Sequence, residues 1–285
     1  MSTMTPPVAE PRARFGDLLA AEWIKMRSLR SSYAVFAAGA LVSIGICANS
    51  ARSNVHLIEH SAIPDDQRTA IDPLHAAFVP EAFQILMVVA AAVGAATIFG
   101  EYSSGMIRTT FAAVPARRSV VAAKAAVAAA VMLVYGTVVA TASFGVTQAI
   151  YDSQRIGLPI TAPGAFRAVA ASALLAPVAA LVGMALGALV RHAAGTVVAI
   201  VGVLVLLPRL FEGETYRWVK EIGNAMPFSA WSALVENSAP RLEPDGPIRW
   251  TSRYPVSVAE AWIVFGAWAF AAVVIAVTVV HRRDV

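Results

Sequence analysis

The sequence predicts an all-α integral membrane protein with six transmembrane helices in one domain. Of its residues, 58% are hydrophobic and 14% are charged, whereas soluble proteins average roughly 45–50% apolar and about 25% charged. Six apolar runs are each long enough to cross about 30 Å of hydrocarbon, which takes roughly 20 helical residues. The runs also lack the period-two alternation that a transmembrane β-barrel requires.

The apolar runs define the domain organisation. A disordered tail is expected over residues 1–13 and a single transmembrane domain over 14–285. The third run is longer than a bilayer needs, which predicts a tilted helix whose Lys124 extends back to the membrane surface. The one cysteine, Cys47, excludes a disulfide within the chain. The expected spans are 33–51, 82–100, 120–148, 166–190, 193–211 and 258–280.

Charge in the connecting segments predicts the orientation. The side that holds both termini has twelve basic and five acidic residues in short segments, and the other side has ten basic and thirteen acidic residues in longer ones. Lysine and arginine are denser on the cytoplasmic side of membrane proteins. We therefore expect both termini in the cytoplasm.

The segment before the first span, "RFGDLLAAEWIKMRSLRSS" over 14–32, has the pattern of an amphipathic helix. Glu22, Lys25, Arg27 and Arg30 supply polar groups, and Trp23 suits the depth of the lipid headgroups. These residues predict a helix in the cytoplasmic membrane interface. The alternative is a simple basic anchor for the first span.

A polar stretch, "FGEYSSGMIRTTFAAVPARR" over 99–118, interrupts the apolar runs after the second span. Ser103 or Ser104 is a suitable N-cap, and Glu101 would be favoured by the positive end of the helix dipole. We expect a helix of about three turns over 103–114 with a basic exit at Arg117 and Arg118. Such a helix suits docking on another protein, and the alternative is a solvated loop.

These two segments resemble a known family. "EWIKMRSLRSSY" before the first span and "GEYSSGMIRTTFAAVPARRSVVAAK" after the second are similar to the permease subunit of type 2 ATP-binding-cassette (ABC) exporters, in its six-span bacterial form. The resemblance covers nearly the whole chain. It implies a connecting helix over about 15–31 and a coupling helix over about 103–114 that sits in a groove of the ATPase subunit. Glu101, Gly105 and Arg108 match the family pattern "E-[YF]-x-x-G-x-x-[RK]".

The resemblance implies a function and partners. The chain would be the permease of a bacterial plasma-membrane exporter for a hydrophobic or amphipathic substrate, paired with a second permease copy in a homodimer or heterodimer within the lipid bilayer. A separate ABC ATPase would bind MgATP, and this chain would carry no cofactor and bind no nucleic acid. The implied contacts to the ATPase are Glu101, Tyr102, Ser103, Ser104, Gly105, Arg108, Phe111, Arg117 and Arg118.

Motifs that the sequence lacks also narrow the function. There is no G-x-x-x-x-G-K-[ST] phosphate loop, no H-E-x-x-H and no G-x-S-x-G, so the chain is not expected to be an enzyme. His56 and His60 are four residues apart, which is more often a surface arrangement than a metal site. Two alternatives remain: a six-span sensor or immunity protein that does not transport, and a secondary transporter, which usually has ionisable groups near mid-membrane.

Two features of the outer side and the core complete the expectations. The segment "YRWVKEIGNAMPFSAWSALVEN" over 216–237 is too interrupted to span and predicts two short re-entrant or interfacial helices, or else an ordinary loop. The first outer loop is expected over 52–81. Gly183 and Gly187 have the small-xxx-small spacing of closely packed helices.

Overall fold

The computed structural model describes residues 14–28, 30–60, 73–114, 116–213, 215–236 and 254–282, and no described residue lies in a β-strand. The expected tail, the middle of the first outer loop and Pro115 fall outside these residues. The helices are α1 Phe15–Ser28, α2 Arg30–His60, α3 Pro73–Ala76, α4 Pro80–Ser103, α5 Met106–Ala113, α6 Arg117–Asp152, α7 Ala165–Val190, α8 Ala193–Val201, α9 Leu207–Leu210, α10 Arg217–Asn224, α11 Pro227–Val235 and α12 Val258–Arg282.

Among the residues that the structure describes, six helical segments are long and apolar enough to cross a membrane, which confirms an all-α multi-pass architecture. They are α2, α4, α6, α7, α12 and the segment Ala193–Leu210. In that fifth segment a π-helical turn, Gly202–Leu206, joins α8 to α9. The fourth and fifth segments are separated by a tight turn at Arg191, whose φ of 58° is left-handed and ends α7.

The first span is longer than the sequence predicts. We expected an outer loop from residue 52, but α2 continues without a break to His60. Hydrogen bonds hold this extension against the end of α6: Asn54 donates to the Tyr151 hydroxyl at 2.8 Å, and Gln154 donates to Glu59 at 2.7 Å. The apolar pattern of the sequence ends near residue 51, but the helix itself continues because the end of α6 supplies hydrogen-bond partners for its last turns.

Helix α7 is the centre of the bundle. In the most apolar 18-residue stretch of α7, 78% of the residues are buried, whereas the corresponding stretches of the first, fifth and sixth spans have 22% buried. It packs against α4, α6, α11 and α12. Glycine makes the contact with α4 close, because a Cβ added at Gly183 would lie 1.9 Å from the Ala91 carbonyl oxygen and one at Gly94 would lie 2.0 Å from that of Ala180. The small-residue prediction for Gly183 is thereby confirmed.

The segment after the fifth span forms two short helices, α10 and α11, so the expectation of an ordinary loop there is wrong. Trp231 on α11 is buried in the bundle, with its ring 5.2 Å from that of Phe83 and 4.9 Å from that of Phe228. Its indole N–H donates to the Ser172 hydroxyl on α7 at 2.9 Å. A large aromatic side chain therefore anchors this segment to the central helix.

Substituting Gly183 with alanine tests the close contact between α4 and α7. The new methyl group would overlap the Ala91 carbonyl, and overpacking of this kind costs about 1–3 kcal/mol. We expect Gly183→Ala to lower the thermal midpoint of the purified protein in detergent. Gly45→Ala is the matched control, because no atom lies within 4 Å of an added Cβ there and alanine gains about 0.5–1 kcal/mol in a helix. Equal midpoints for the two variants would contradict the contact.

Candidate functional site

Helix α1 lies against the beginning of α6. Its Leu18 and Glu22, one helical turn apart, are buried, and Leu18 packs on Val120 and Ala123. Trp23 and Ile24 on another side of α1 are exposed. The helix therefore presents one face to the bundle and leaves an aromatic and an aliphatic side chain on its outer surface.

A buried charge cluster joins α1, α4 and α6. The cluster consists of Glu22 and Lys25 on α1, Glu101 on α4 and Lys124 on α6. The Lys25 ammonium donates to Glu22 Oε1 at 2.8 Å and to Glu101 Oε1 at 2.9 Å. The Lys124 ammonium donates to Glu101 Oε1 at 2.9 Å and also to Glu22 Oε2. Each carboxylate thus binds both ammonium groups, and the four residues form a closed ring.

The ring is electrically neutral and largely shielded from water. The exposed fraction of the side chain is 6% for Lys124 and 7–9% for the two glutamates, and it rises to 35% for Lys25. Burial by itself would lower the pKa of Lys25, but its hydrogen bonds and charge attraction to Glu22 and Glu101 outweigh burial, so that this pKa lies above its ordinary value. Lys25 therefore remains charged throughout the physiological range.

Two expectations about the cluster residues are wrong. Lys124 does not extend to the surface, because two carboxylates from neighbouring helices meet its ammonium group inside the bundle. Glu101 does not lie at the start of a short helix: it is in the last turn of α4, and Lys25 and Lys124 supply its positive partners. Reasoning from one helix at a time missed both contacts, because Lys25 and Lys124 are 76 and 23 positions from Glu101 along the chain.

The short helix after the second span is α5, and it begins later than expected. It covers Met106–Ala113, which is about two turns rather than three. Ser103 and Ser104 do not cap it; their hydroxyls donate back to the Gly100 carbonyl at 3.1 and 2.8 Å and belong to the end of α4. Gly105 has a φ of 72° and makes the sharp turn between the two helices.

Of the other residues predicted for this site, two are packed together, four are exposed and two have side chains outside the described part of the structure. Phe111 on α5 packs against the cluster of Leu18, Val120 and Ala123, and the Arg117 guanidinium lies 5.2 Å from its ring centre. Arg27, Ser103, Ser104 and Arg118 are exposed. Arg30 and Arg108 lie on helices, but their side chains fall outside the described part of the structure.

Tyr102 connects the site to the turn between α7 and α8. The Arg191 guanidinium lies 4.6 Å from the centre of its ring, within the range of a cation–π interaction. Sequence reasoning paired neither residue with the other. The short gap between the spans expected over 166–190 and 193–211 predicts a tight turn at Arg191, but the proximity of this turn to the end of α4 depends on how α4 and α7 pack.

The arrangement holds α1, α4 and α6 together. Within the described ranges no three histidine, cysteine or carboxylate side chains group as metal ligands. His56 and His60 stack with ring centres 4.0 Å apart at the C-terminal end of α2. No family model matches the chain, and no curated protein matches it.

A double-mutant cycle on Glu101 and Lys124 tests the ring. Lys124→Met leaves two buried carboxylates with one ammonium group, and breaking a buried pair in this way costs about 3–5 kcal/mol. Glu101→Gln together with Lys124→Met leaves a neutral Glu22 and Lys25 pair, so we expect the double variant to be more stable than the sum of the single losses predicts. Unfolding in mixed micelles measures the free energies. Arg118→Met, an exposed control, should shift stability by less than about 0.5 kcal/mol; strict additivity would argue against coupling.

The raised pKa of Lys25 predicts how stability depends on pH. A group whose pKa is higher in the folded state stabilises the protein fully at pH values below its unfolded pKa, which is about 10.4 for lysine. This stabilisation is lost as the pH rises through the pKa of the folded state. The difference in thermal midpoint between the natural protein and Lys25→Met should therefore be constant from pH 6 to 9. A difference that disappears by pH 9 would show that Lys25 is not held in its charged form by the two carboxylates.

Proposed function

We propose that this chain is the permease subunit of an ABC transporter, a bacterial exporter of a hydrophobic or amphipathic substrate. Its two resembling segments, the second half of α1 with the beginning of α2 and α5 with its flanking residues, lie at the same end of the bundle. On this proposal that end faces the cytoplasm, where a separate ATPase subunit binds and hydrolyses MgATP.

The charge cluster is the observation that carries the proposal. Lys25, which also binds Glu22, attaches α1 to Glu101, and Glu101 is four residues before the sharp turn at Gly105. Lys124 attaches the same carboxylates to α6. Because the attachments are short and buried, a displacement of α5 would move the ends of α4 and α6 and also α1 as one unit. A coupling element needs such a connection between a docking surface and the spans.

The exposed apolar side chains on three of the spans support the proposal of a second permease copy. In the most apolar part of α2, of α12 and of the fifth span, only 22% of the residues are buried within the chain. Leu41, Ile263 and Phe270, for example, are about 70% exposed. In the proposed assembly these faces contact lipid and the second copy, and an apolar substrate passes between the two sets of six helices.

The cluster does not favour a secondary transporter. Glu101 lies two residues from the end of α4, and Lys124 is in the third turn of α6, so both are near one end of the bundle rather than at its middle. Ion-coupling residues are usually kept near mid-membrane. The four charges also neutralise one another, which leaves no unpaired group among them to bind a coupling ion.

Substitutions of charged residues distinguish docking on the ATPase from transmission of its movement to the spans. Arg108→Glu should reduce co-purification with the cognate ATPase at least tenfold, because the residue lies on the helix that we assign to docking. Glu101→Gln should retain co-purification but lower substrate-stimulated ATP hydrolysis and transport at least tenfold, because it loosens the charge cluster. Arg217→Glu makes the same charge change as Arg108→Glu on the exposed helix α10, at the opposite end, and should leave both readouts unchanged.

The proposal fails if the chain co-purifies with no ATPase, or if Arg108→Glu and Glu101→Gln both support normal binding and transport. Full activity of the protein in cells that lack every candidate ATPase would instead favour a sensor or immunity function.

A further inference from the structure

A cavity of about 420 Å³ lies beside the charge cluster, between α1, the end of α4 and the beginning of α6. Its volume is within the range of ligand sites, about 300–1,000 Å³. None of the roles proposed above for the cluster uses this cavity.

The walls of the cavity have two different characters. One wall is charged and contains Lys25 with its cluster partners. The other is apolar and includes Met26, Gly100, Met106 and Val127. A ligand that fills both parts must carry a charged or polar group at one end and hydrocarbon at the other, which is the chemistry of a lipid.

Charge decides which kind of lipid fits. Both carboxylates of the cluster are already bound by lysines. An ammonium group has three N–H donors, and the two carboxylates take two from Lys25, whose side chain is 35% exposed. This side of the sequence also has more than twice as many basic as acidic residues. The third N–H of the Lys25 ammonium group is therefore available to a ligand at the cavity, and this positively charged donor favours an anionic headgroup.

The position of the cavity agrees with access from the membrane. Trp23 and Phe15 on α1 are each about half exposed, as aromatic residues at a membrane interface commonly are. We propose that the cavity binds one anionic phospholipid, with its phosphate at Lys25 and an acyl chain along Met26, Gly100 and Val127. The lipid would brace α1 against α4 and α6. This inference does not rest on the proposed transport function.

Lipid titration tests the site. The full chain, purified in a neutral detergent, is titrated with dioleoylphosphatidylglycerol, with dioleoylphosphatidylcholine and with inorganic phosphate. Bound lipid is counted by native mass spectrometry and the thermal midpoint is recorded. We expect one saturable phosphatidylglycerol, at least tenfold tighter than phosphatidylcholine, with a rise in the midpoint, and no effect of inorganic phosphate.

Gly100→Leu is the decisive variant. No atom lies within 4 Å of a Cβ added at Gly100, so leucine can occupy the apolar part of the cavity without altering the charge cluster. Leucine also favours the helix, so the variant should fold. We expect it to bind phosphatidylglycerol at least tenfold more weakly. Gly45→Leu makes the same change on the exposed surface of α2 and should bind as the natural protein does.

The headgroup is tested separately with Lys25→Gln, which should lose the preference for phosphatidylglycerol over phosphatidylcholine while it still binds one lipid. Unchanged phosphatidylglycerol binding by Gly100→Leu would overturn the site. Equal affinity for the two lipids in the natural protein, or stabilisation by inorganic phosphate alone, would overturn the anionic phospholipid as its occupant.

Discussion

The pairing of two lysines with two glutamates at one end of the bundle is the constraint on which the arrangement of α1, α4 and α6 depends. Removing charges from water is costly, and the cost is recovered only when every charge has partners at short distance. Here each carboxylate binds both ammonium groups, so all four residues must be present together. Three helices that are far apart in the sequence are thereby held in a single relative position.

The close contact between α4 and α7 supplies the rigid support for this cluster. Glycine at positions 94 and 183 lets the two backbones approach to a distance that a side chain would prevent. Membrane helices have little hydrophobic reason to associate, because lipid is as apolar as their own side chains, and close backbone packing supplies the attraction instead. Glu101 therefore belongs to a helix, α4, that close packing against α7 holds in place.

At the opposite end of the bundle, uncharged side chains make several of the hydrogen bonds between segments. Gln148 on α6 donates to the Pro73 carbonyl at 2.9 Å and accepts from the Leu158 amide at 2.8 Å, which ties two connecting segments to one helix. Trp231 anchors α11 in a similar way. The two ends thus differ in where their charges lie: one end has a buried ring of two lysines and two glutamates, and the other has buried uncharged hydrogen bonds with an exposed ion pair between Arg217 and Glu221. In the proposed transporter this difference matches an end that receives mechanical input and an end that faces the outside.

The sequence by itself determined the number, type and approximate position of the spanning helices, because an apolar run of about 20 residues has few stable forms in a bilayer. It also indicated a helix before the first span and the two short helices around Pro227, whereas it placed Gly105 inside a helix rather than at a turn. Only the tertiary structure decided that Lys124 is buried, that Glu101 closes α4 rather than opening α5, and that α2 extends to His60. Each of these depends on partners from distant parts of the chain, and patterns within one segment carry no information about which charge or hydrogen-bonding group a neighbouring helix will present.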